Sequence, residues 1–180
     1  RSEGKKTKEI SRSHKLIREK SGLITIIGGK WTTYRKMAQD TLDLAIRYMH
    51  IPTKDCITER YQIHGSRKNP DFSDPLYVYG TDADEIRNLV ASSPAMAEKL
   101  HPDYAYTVGE VTWLVRNEMP RTLEDVLARR LRILFLDARA AMAMAPKVAG
   151  ILATEWGKDE TWTSAQVKAF NEVASNYILN

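Results

Sequence analysis

The chain has 180 residues, of which 43% are hydrophobic and 28% are charged, an ordinary composition for a soluble globular protein with one core or one and a half domains. No apolar stretch approaches the roughly 20 residues that span a bilayer, and no signal-peptide pattern is present. Cys56 is the only cysteine, which excludes an internal disulfide and favours a reducing compartment.

The net charge of +4 comes from one end of the chain. Residues 1–20 carry eight lysines and arginines against three glutamates, a net charge of +5, whereas the rest of the chain carries −1. We call residues 1–20 the basic arm. No aromatic side chain lies among its charges to stack on bases, so we predict a solvated, flexible segment with no nucleic acid as its partner.

A strand, a glycine turn and a helix follow the basic arm. Residues 23–27 are a β-branched apolar run that predicts a buried strand, Gly28 and Gly29 follow it, and Thr32 or Thr33 is placed to cap a helix. The predicted helix has apolar residues at helical spacing: Met37, Ala38, Leu42, Ala45, Ile46 and Met49.

This geometry directs backbone N–H groups and the positive end of a helix dipole at one spot, which suits a phosphate, a carboxylate or a cofactor ring. The alternative is an ordinary turn whose glycines only let the strand and the helix pack closely. A strand at 23–27 without a partner would expose an apolar edge, so it would disorder, pair with another chain or dock elsewhere.

Residues 51–80 are rich in proline and glycine and predict a connector, because Pro52 ends the preceding helix and residues 69–75 have turn chemistry. The rest of the chain has helical periodicity. We expect helices that begin after Thr81 or Asp82, at Ser93-Pro94, near Tyr106, after Thr122 and after Thr163 or Ser164. The helix after Thr122 is predicted to run to Ala145, and Pro146 to mark a break before a helix that ends at Gly157.

Four arginines, Arg129, Arg130, Arg132 and Arg139, lie on that predicted helix. Their spacing favours a charged surface face that forms ion pairs, and the alternative is an anchor for an acidic partner or a lipid headgroup. We predict that Trp113, Leu131 and Phe135 belong to the hydrophobic core.

The chain lacks the usual signatures of catalysis. His14, His50, His64 and His101 have no ligand-like spacing to other metal-binding residues, so we predict no metal site. Gly-x-Ser-x-Gly, P-loop and Gly-x-Gly-x-x-Gly motifs are absent from the sequence. We therefore assign no catalytic residue in this chain and expect no tight dinucleotide binding by it alone.

Two segments carry a family resemblance. Residues 21–40, SGLITIIGGKWTTYRKMAQD, resemble the end of the flavin domain in FAD-dependent, quinone-linked glycerol-3-phosphate dehydrogenases. Residues 121–149, RTLEDVLARRLRILFLDARAAMAMAPKVA, resemble the signature of the C-terminal helical domain of that family. The resemblance covers about half of the chain. It implies a mainly α fold, in which a helical C-terminal domain follows a strand-turn-helix remnant of an α/β flavin-binding domain.

The resemblance also implies boundaries and site residues. Residues 1–50 would be the remnant of the FAD-binding domain, 51–80 the connector and 81–180 the helical domain. The cofactor-binding residues would be Gly28, Gly29, Lys30, Trp31, Thr32 and Thr33. Lys30 would lie near the flavin or the substrate phosphate, with Arg12 and His14 approaching the same pocket.

The implied parent enzyme oxidises sn-glycerol 3-phosphate to dihydroxyacetone phosphate with FAD and passes electrons to a quinone. The chain itself would be an inactive structural part without bound FAD, and its partner would be the missing N-terminal flavin domain. We expect it in the cytoplasm or held peripherally at the cytoplasmic face of a membrane. The sequence is compatible with a homo-oligomer but does not decide the oligomeric state. The alternative function is a helical interaction module whose basic arm binds an acidic partner, nucleic acid or an anionic membrane.

Overall fold

The structure is a computed structural model that describes residues 13–178. It is mainly helical, which confirms the predicted fold class. The chain divides into two compact units, Arg1–Ile63 and His64–Asn180, and the division falls inside the predicted connector. The strands and α-helices are β1 (His14–Arg18), β2 (Ile24–Gly28), α1 (Tyr34–Met49), α2 (Ala83–Ala91), α3 (Pro94–Ala97), α4 (Val108–Asn117), α5 (Ile133–Leu136), α6 (Ala138–Trp156) and α7 (Glu160–Ser175).

The apolar strand of the first unit has a partner in the basic arm. β1 pairs with β2 as an antiparallel hairpin in which Leu16 lies opposite Ile26. The connection is closed by hydrogen bonds from the Glu19 N–H to the Leu23 carbonyl and from the Gly22 N–H to the Glu19 carbonyl. The prediction that the arm is flexible throughout is therefore wrong for His14–Arg18, and the predicted strand is not unpaired. The predicted burial of that strand is wrong as well, because none of its residues is buried and Ile27 is 54% exposed.

Helix α1 begins directly after Thr33, one of the two predicted cap positions, but without the predicted cap hydrogen bond. A short 3₁₀ turn at Trp31–Thr33 precedes it, and the hydroxyl of Thr33 bonds back to Lys30. Neither predicted cap, Thr32 or Thr33, accepts a hydrogen bond from the first turn of α1. The helix ends at Met49, where His50 adopts a left-handed conformation (φ 53°) and donates its N–H to the Ile46 carbonyl.

Packing in the second unit centres on α4 and α6. Both helices bury apolar faces against α2, α5, α7 and the segment 122–131. The largest completely buried side chains are Ile86, Val111, Leu114, Leu123, Val126, Leu127, Ile133, Met144, Val148 and Leu152. Trp113 and Leu131 belong to this core, as predicted, whereas Phe135 is 54% exposed and its assignment to the core is wrong.

The helix predicted from Thr122 to Ala145 is interrupted twice. Thr122 and Asp125 form the predicted capping box, but a π-helix then spans Asp125–Arg130 and stops where Arg132 turns left-handed (φ 59°). The chain breaks again at Asp137, which is extended and accepts a hydrogen bond from the Ala140 N–H at 2.9 Å. This carboxylate therefore caps α6 and sets its start.

Two other predicted boundaries are wrong. Pro146 lies inside α6 and does not break it, because buried residues on both sides, such as Ala145 and Val148, keep the helix packed. Helix α7 begins at Glu160 after a cap by Asp159, which accepts from the Trp162 N–H at 2.8 Å. It does not begin after Thr163 or Ser164.

The charged arginines near the π-helix form ion pairs, as predicted for a surface face. Arg129 contacts Glu124 at 2.6 Å and Asp125 at 3.1 Å, and Arg130 contacts Glu118 at 2.7 Å. The pairs of Arg129 link the end of the π-helix to carboxylates at its start, whereas Arg132 and Arg139 form no ion pair among the described residues.

The contrast between Leu127 and Phe135 gives a test of the core. We expect Leu127→Ala to lower the free energy of unfolding by about 2–5 kcal/mol, because it leaves a cavity among completely buried side chains. Phe135→Ala is the matched control, and we expect it to cost less than about 1 kcal/mol because half of this side chain is in solvent. Chemical denaturation of the 180-residue chain measures both. Equal losses would contradict the observed packing.

Candidate functional site

The candidate site lies in the first unit, where β2 meets α1. Gly28 and Gly29 join the two elements with φ values of 84° and 83°. A Cβ atom at Gly28 would approach the Ser13 carbonyl to 2.9 Å, and one at Gly29 would collide with the thioether of Met37. Both glycines are therefore required by the left-handed backbone and by close packing, independently of any ligand.

The turn after the glycines leaves two donors free. The Lys30 N–H donates to the Thr33 hydroxyl at 3.0 Å, and the Thr33 hydroxyl and N–H both donate to the Lys30 carbonyl at 2.9 Å. The N–H groups of Trp31 and Thr32 have no acceptor within residues 13–178. Two unpaired N–H groups at the start of a helical segment favour an electron-rich partner.

A groove of about 660 Å³ lies beside these donors. Lys30 and Trp31 line one end, and the Trp31 side chain is 90% exposed. The wall along the strand and helix is apolar and includes Ile26, Met37 and Ala38. The groove thus combines an apolar wall with Lys30 and with Trp31, whose backbone N–H is free.

His14 lies next to the same turn. It is paired with Gly28 in the hairpin register, and its Nε2 atom donates to the Asp40 carboxylate at 2.9 Å. Lys36 contacts the other oxygen of Asp40 at 2.8 Å. The hydrogen bond from Lys36, with that from His14, holds the pKa of Asp40 below its usual value of 3.8.

The structure thus gathers most of the predicted site residues. His14 and the six residues from Gly28 to Thr33 lie around one turn, whereas Arg12 lies outside the described residues. Sequence reasoning missed the roles of two residues of α1: Asp40, which binds His14, and Met37, which packs against Gly29. The Lys36–Asp40 spacing of four residues on a helix was a usable signal for the first of them.

Among residues 13–178, no group of three or more histidine, cysteine, aspartate or glutamate side chains is arranged to hold a metal ion. None of the helices in this part of the chain is both long and apolar enough to cross a membrane.

Comparison with known proteins decides the family. Residues 23–163 match the family model described as the C-terminal domain of alpha-glycerophosphate oxidase. The chain belongs to this family. The match covers residues 23–40 of the first segment that carries the sequence resemblance, all of the second and the residues between them, so it includes the glycine turn, α1 and most of the helical unit.

Similar proteins extend the match to nearly the whole chain. It is 34% identical to the probable mitochondrial glycerol-3-phosphate dehydrogenase of Caenorhabditis elegans, over 97% of the chain and 26% of the relative. The corresponding protein of Dictyostelium discoideum is also 34% identical, over 97% of the chain and 29% of the relative. The mitochondrial glycerol-3-phosphate dehydrogenase of Mesocricetus auratus is 30% identical, over 96% of the chain and 26% of the relative. The chain thus spans little more than a quarter of these relatives.

The ion pair on α1 predicts a measurable titration. In the unmodified chain Asp40 should titrate below pH 3.8, so its contribution to stability is present above pH 3.8 and is lost as the pH falls through the lower, folded-state pKa. Lys36→Met removes the first cause and should raise the pKa of Asp40 towards 3.8. Lys30→Met is the control, because no carboxylate within the described residues pairs with Lys30. Carboxyl NMR titration checks both variants, and an unchanged Asp40 pKa in Lys36→Met would refute the pairing.

Proposed function

We propose that the chain is the C-terminal part of an FAD-dependent sn-glycerol-3-phosphate dehydrogenase that forms dihydroxyacetone phosphate and passes electrons to a quinone. The family match and the names of the relatives support the dehydrogenase. The observation that carries the flavin assignment is the pair of free N–H groups at Trp31 and Thr32, in a turn whose residues Gly28 to Trp31 line an apolar groove.

The residues around the groove fit a flavin ring. A flavin is a flat, largely apolar ring system that, when bound, would supply hydride acceptance in its oxidised form and would carry negative charge at its N1/O2 edge once reduced. The N–H groups of Trp31 and Thr32, at the positive end of a helical segment, would stabilise that charge. Ile26, Met37 and Ala38 would contact the ring face. The glycines would serve this site indirectly, because they allow the turn to form.

Lys30 is proposed to hold the flavin edge or the substrate phosphate as a point charge. Its exposed position at the end of the groove leaves the ammonium group free to reach a ligand. His14 and Arg12 are proposed to contact the same substrate. Since the Nε2 atom of His14 is bonded to Asp40, its Nδ1 atom would make that contact.

The exposed apolar surface of the first unit supports the proposal that this unit belongs to a larger protein. None of its described residues is buried, and apolar side chains lie largely in solvent, among them Leu23, Ile27, Tyr34 and Leu42. Isolated hairpins and exposed apolar patches of this kind are stable only with further packing. We propose that the rest of the flavin domain covers them.

The alternative interaction module gains little support. Residues 1–12, which hold most of the basic charge of the arm, lie outside the described residues. Of the four arginines that are the other candidates for an acidic partner, Arg132 and Arg139 form no ion pair within residues 13–178, whereas Arg129 and Arg130 are already paired with carboxylates of this chain. These pairs would have to break before Arg129 or Arg130 could bind a ligand.

A comparison of two proteins tests the proposal directly. The full-length parent should copurify with FAD, show its yellow absorbance and reduce a quinone analogue when glycerol 3-phosphate is added. The isolated 180-residue chain should show neither absorbance nor activity, because it supplies one wall of the site. A colourless full-length protein that stays inactive after FAD is added would overturn the proposal.

A pair of substitutions at one position tests the role of the backbone donor. Lys30 is extended (φ −134°, ψ 157°), so Trp31→Pro fits at the first helical position and removes the N–H, whereas Trp31→Ala keeps it. A hydrogen bond to a charged group contributes about 1.5–3 kcal/mol. Relative to Trp31→Ala, the proline variant of the full-length enzyme should therefore have a flavin midpoint potential lower by about 30–60 mV.

Spectroelectrochemistry measures this difference, and the loss of the aromatic side chain is common to both variants. Equal potentials in the two variants would show that the Trp31 N–H does not face the flavin, although the family assignment would stand.

A further inference from the structure

Glu110 is the one ionisable side chain that is buried among residues 13–178, with 4% exposure. It lies in the first turn of α4 and accepts a hydrogen bond from the Tyr79 hydroxyl at 2.6 Å. No lysine, arginine or histidine of the described chain forms an ion pair with it. Burial raises the pKa of Glu110, because its charged form has lost water without gaining a cation.

Glu110 lines a cavity of about 460 Å³ within the helical unit, a volume typical of small-molecule sites. Three further aromatic side chains besides Tyr79 line the same cavity: Tyr77, Tyr106 and Phe135. Tyrosine and phenylalanine rings attract cations through their negative faces. A buried carboxylate among such rings is the environment in which an organic ammonium group is favoured over water.

The outer part of the cavity carries the opposite charge. Arg130 and Arg132 both line the cavity, and both are exposed to solvent, whereas Glu110 is buried. Arg130 is paired with Glu118, whereas Arg132 has no carboxylate partner within residues 13–178. Arg132 is also held in a left-handed conformation that costs energy for a residue with a side chain. The cavity lining therefore includes one buried carboxyl group without a cation and one exposed guanidinium without a carboxylate partner among the described residues.

We propose that this cavity binds a small zwitterion whose ammonium group pairs with Glu110 and whose anionic oxygens pair with Arg132. The ammonium group supplies the cation that the buried carboxylate lacks, and the aromatic walls contact it. The guanidinium offers several donors to a phosphate or carboxylate. Phosphorylethanolamine has this chemistry, both as a soluble molecule and as a lipid headgroup. This inference does not depend on the proposed flavin site.

NMR titration of the 180-residue chain with phosphorylethanolamine tests the proposal. We expect saturable shifts at Tyr79, Glu110 and Arg132. Glu110→Gln keeps the shape and the bond to Tyr79 but removes the charge, and Arg132→Asn removes the guanidinium with a residue that tolerates the left-handed backbone. Each should weaken binding about tenfold or more.

Arg129→Gln is the matched control and should bind as the unmodified chain does, because Arg129 is paired with Glu124 and Asp125 and does not line the cavity. Ethanolamine and inorganic phosphate, each carrying one half of the charge pattern, should bind more weakly than the zwitterion. Thermal melting confirms that each variant is folded before its affinity is compared.

A second readout needs no variant. The carboxyl pKa of Glu110 should fall when phosphorylethanolamine is added to the unmodified chain, because a bound cation stabilises the carboxylate. Competition by phosphatidylethanolamine vesicles, and none by phosphatidylglycerol vesicles, would identify a lipid as the source of the headgroup. Absence of that competition would identify a soluble zwitterion. No saturable shift, equal affinity in Glu110→Gln, or an unmoved Glu110 pKa would overturn the proposal.

Discussion

Burial of apolar side chains is the constraint on which the rest of the structure depends, and it is unevenly distributed. In the helical unit α4 and α6 are surrounded by other helices, and their completely buried residues, such as Leu114, Met144 and Leu152, leave little freedom to either. In the first unit the described residues include none that is buried. Hairpin hydrogen bonds and the contact between His14 and Asp40 hold that unit instead.

This difference explains which secondary-structure predictions held. Local signals that begin a helix were readable, as at Ser93-Pro94 and Thr122, because the capping side chain and the backbone N–H that donates to it lie within a few residues. The break at Asp137 was not found, since apolar residues continue at helical spacing on both sides of it. The same continuity hid the exposure of Phe135, whose direction depends on the left-handed turn at Arg132. The pairing of β1 with β2 was missed because Leu16 and Ile17 make a short and weak strand pattern.

The glycine turn shows how far the sequence could define the candidate site. Its place between a strand and a helix was predicted, and the two free N–H groups follow from that geometry. Close packing was one of the two predicted reasons for the glycines, but the residues that they contact were not predictable, because Ser13 lies on the paired side of the hairpin and Met37 on α1. The placement of His14 beside the turn depends on non-local pairing too, because His14 lies opposite Gly28 only once the hairpin forms.

The starts of two helical segments are used in opposite ways. At Trp31 and Thr32 the first N–H groups are unpaired and favour negative charge on a ligand. At α4 the hydroxyl of Thr107 accepts from the Glu110 N–H at 3.2 Å, and the acidic side chain of Glu110 itself lies in the first turn. The helix dipole offsets part of the cost of that buried charge, and Tyr79 offsets more, but neither supplies a cation. The first arrangement therefore selects an electron-rich group and the second a cationic one, so the two candidate sites differ in the charge they attract even though each is built at the beginning of a helix.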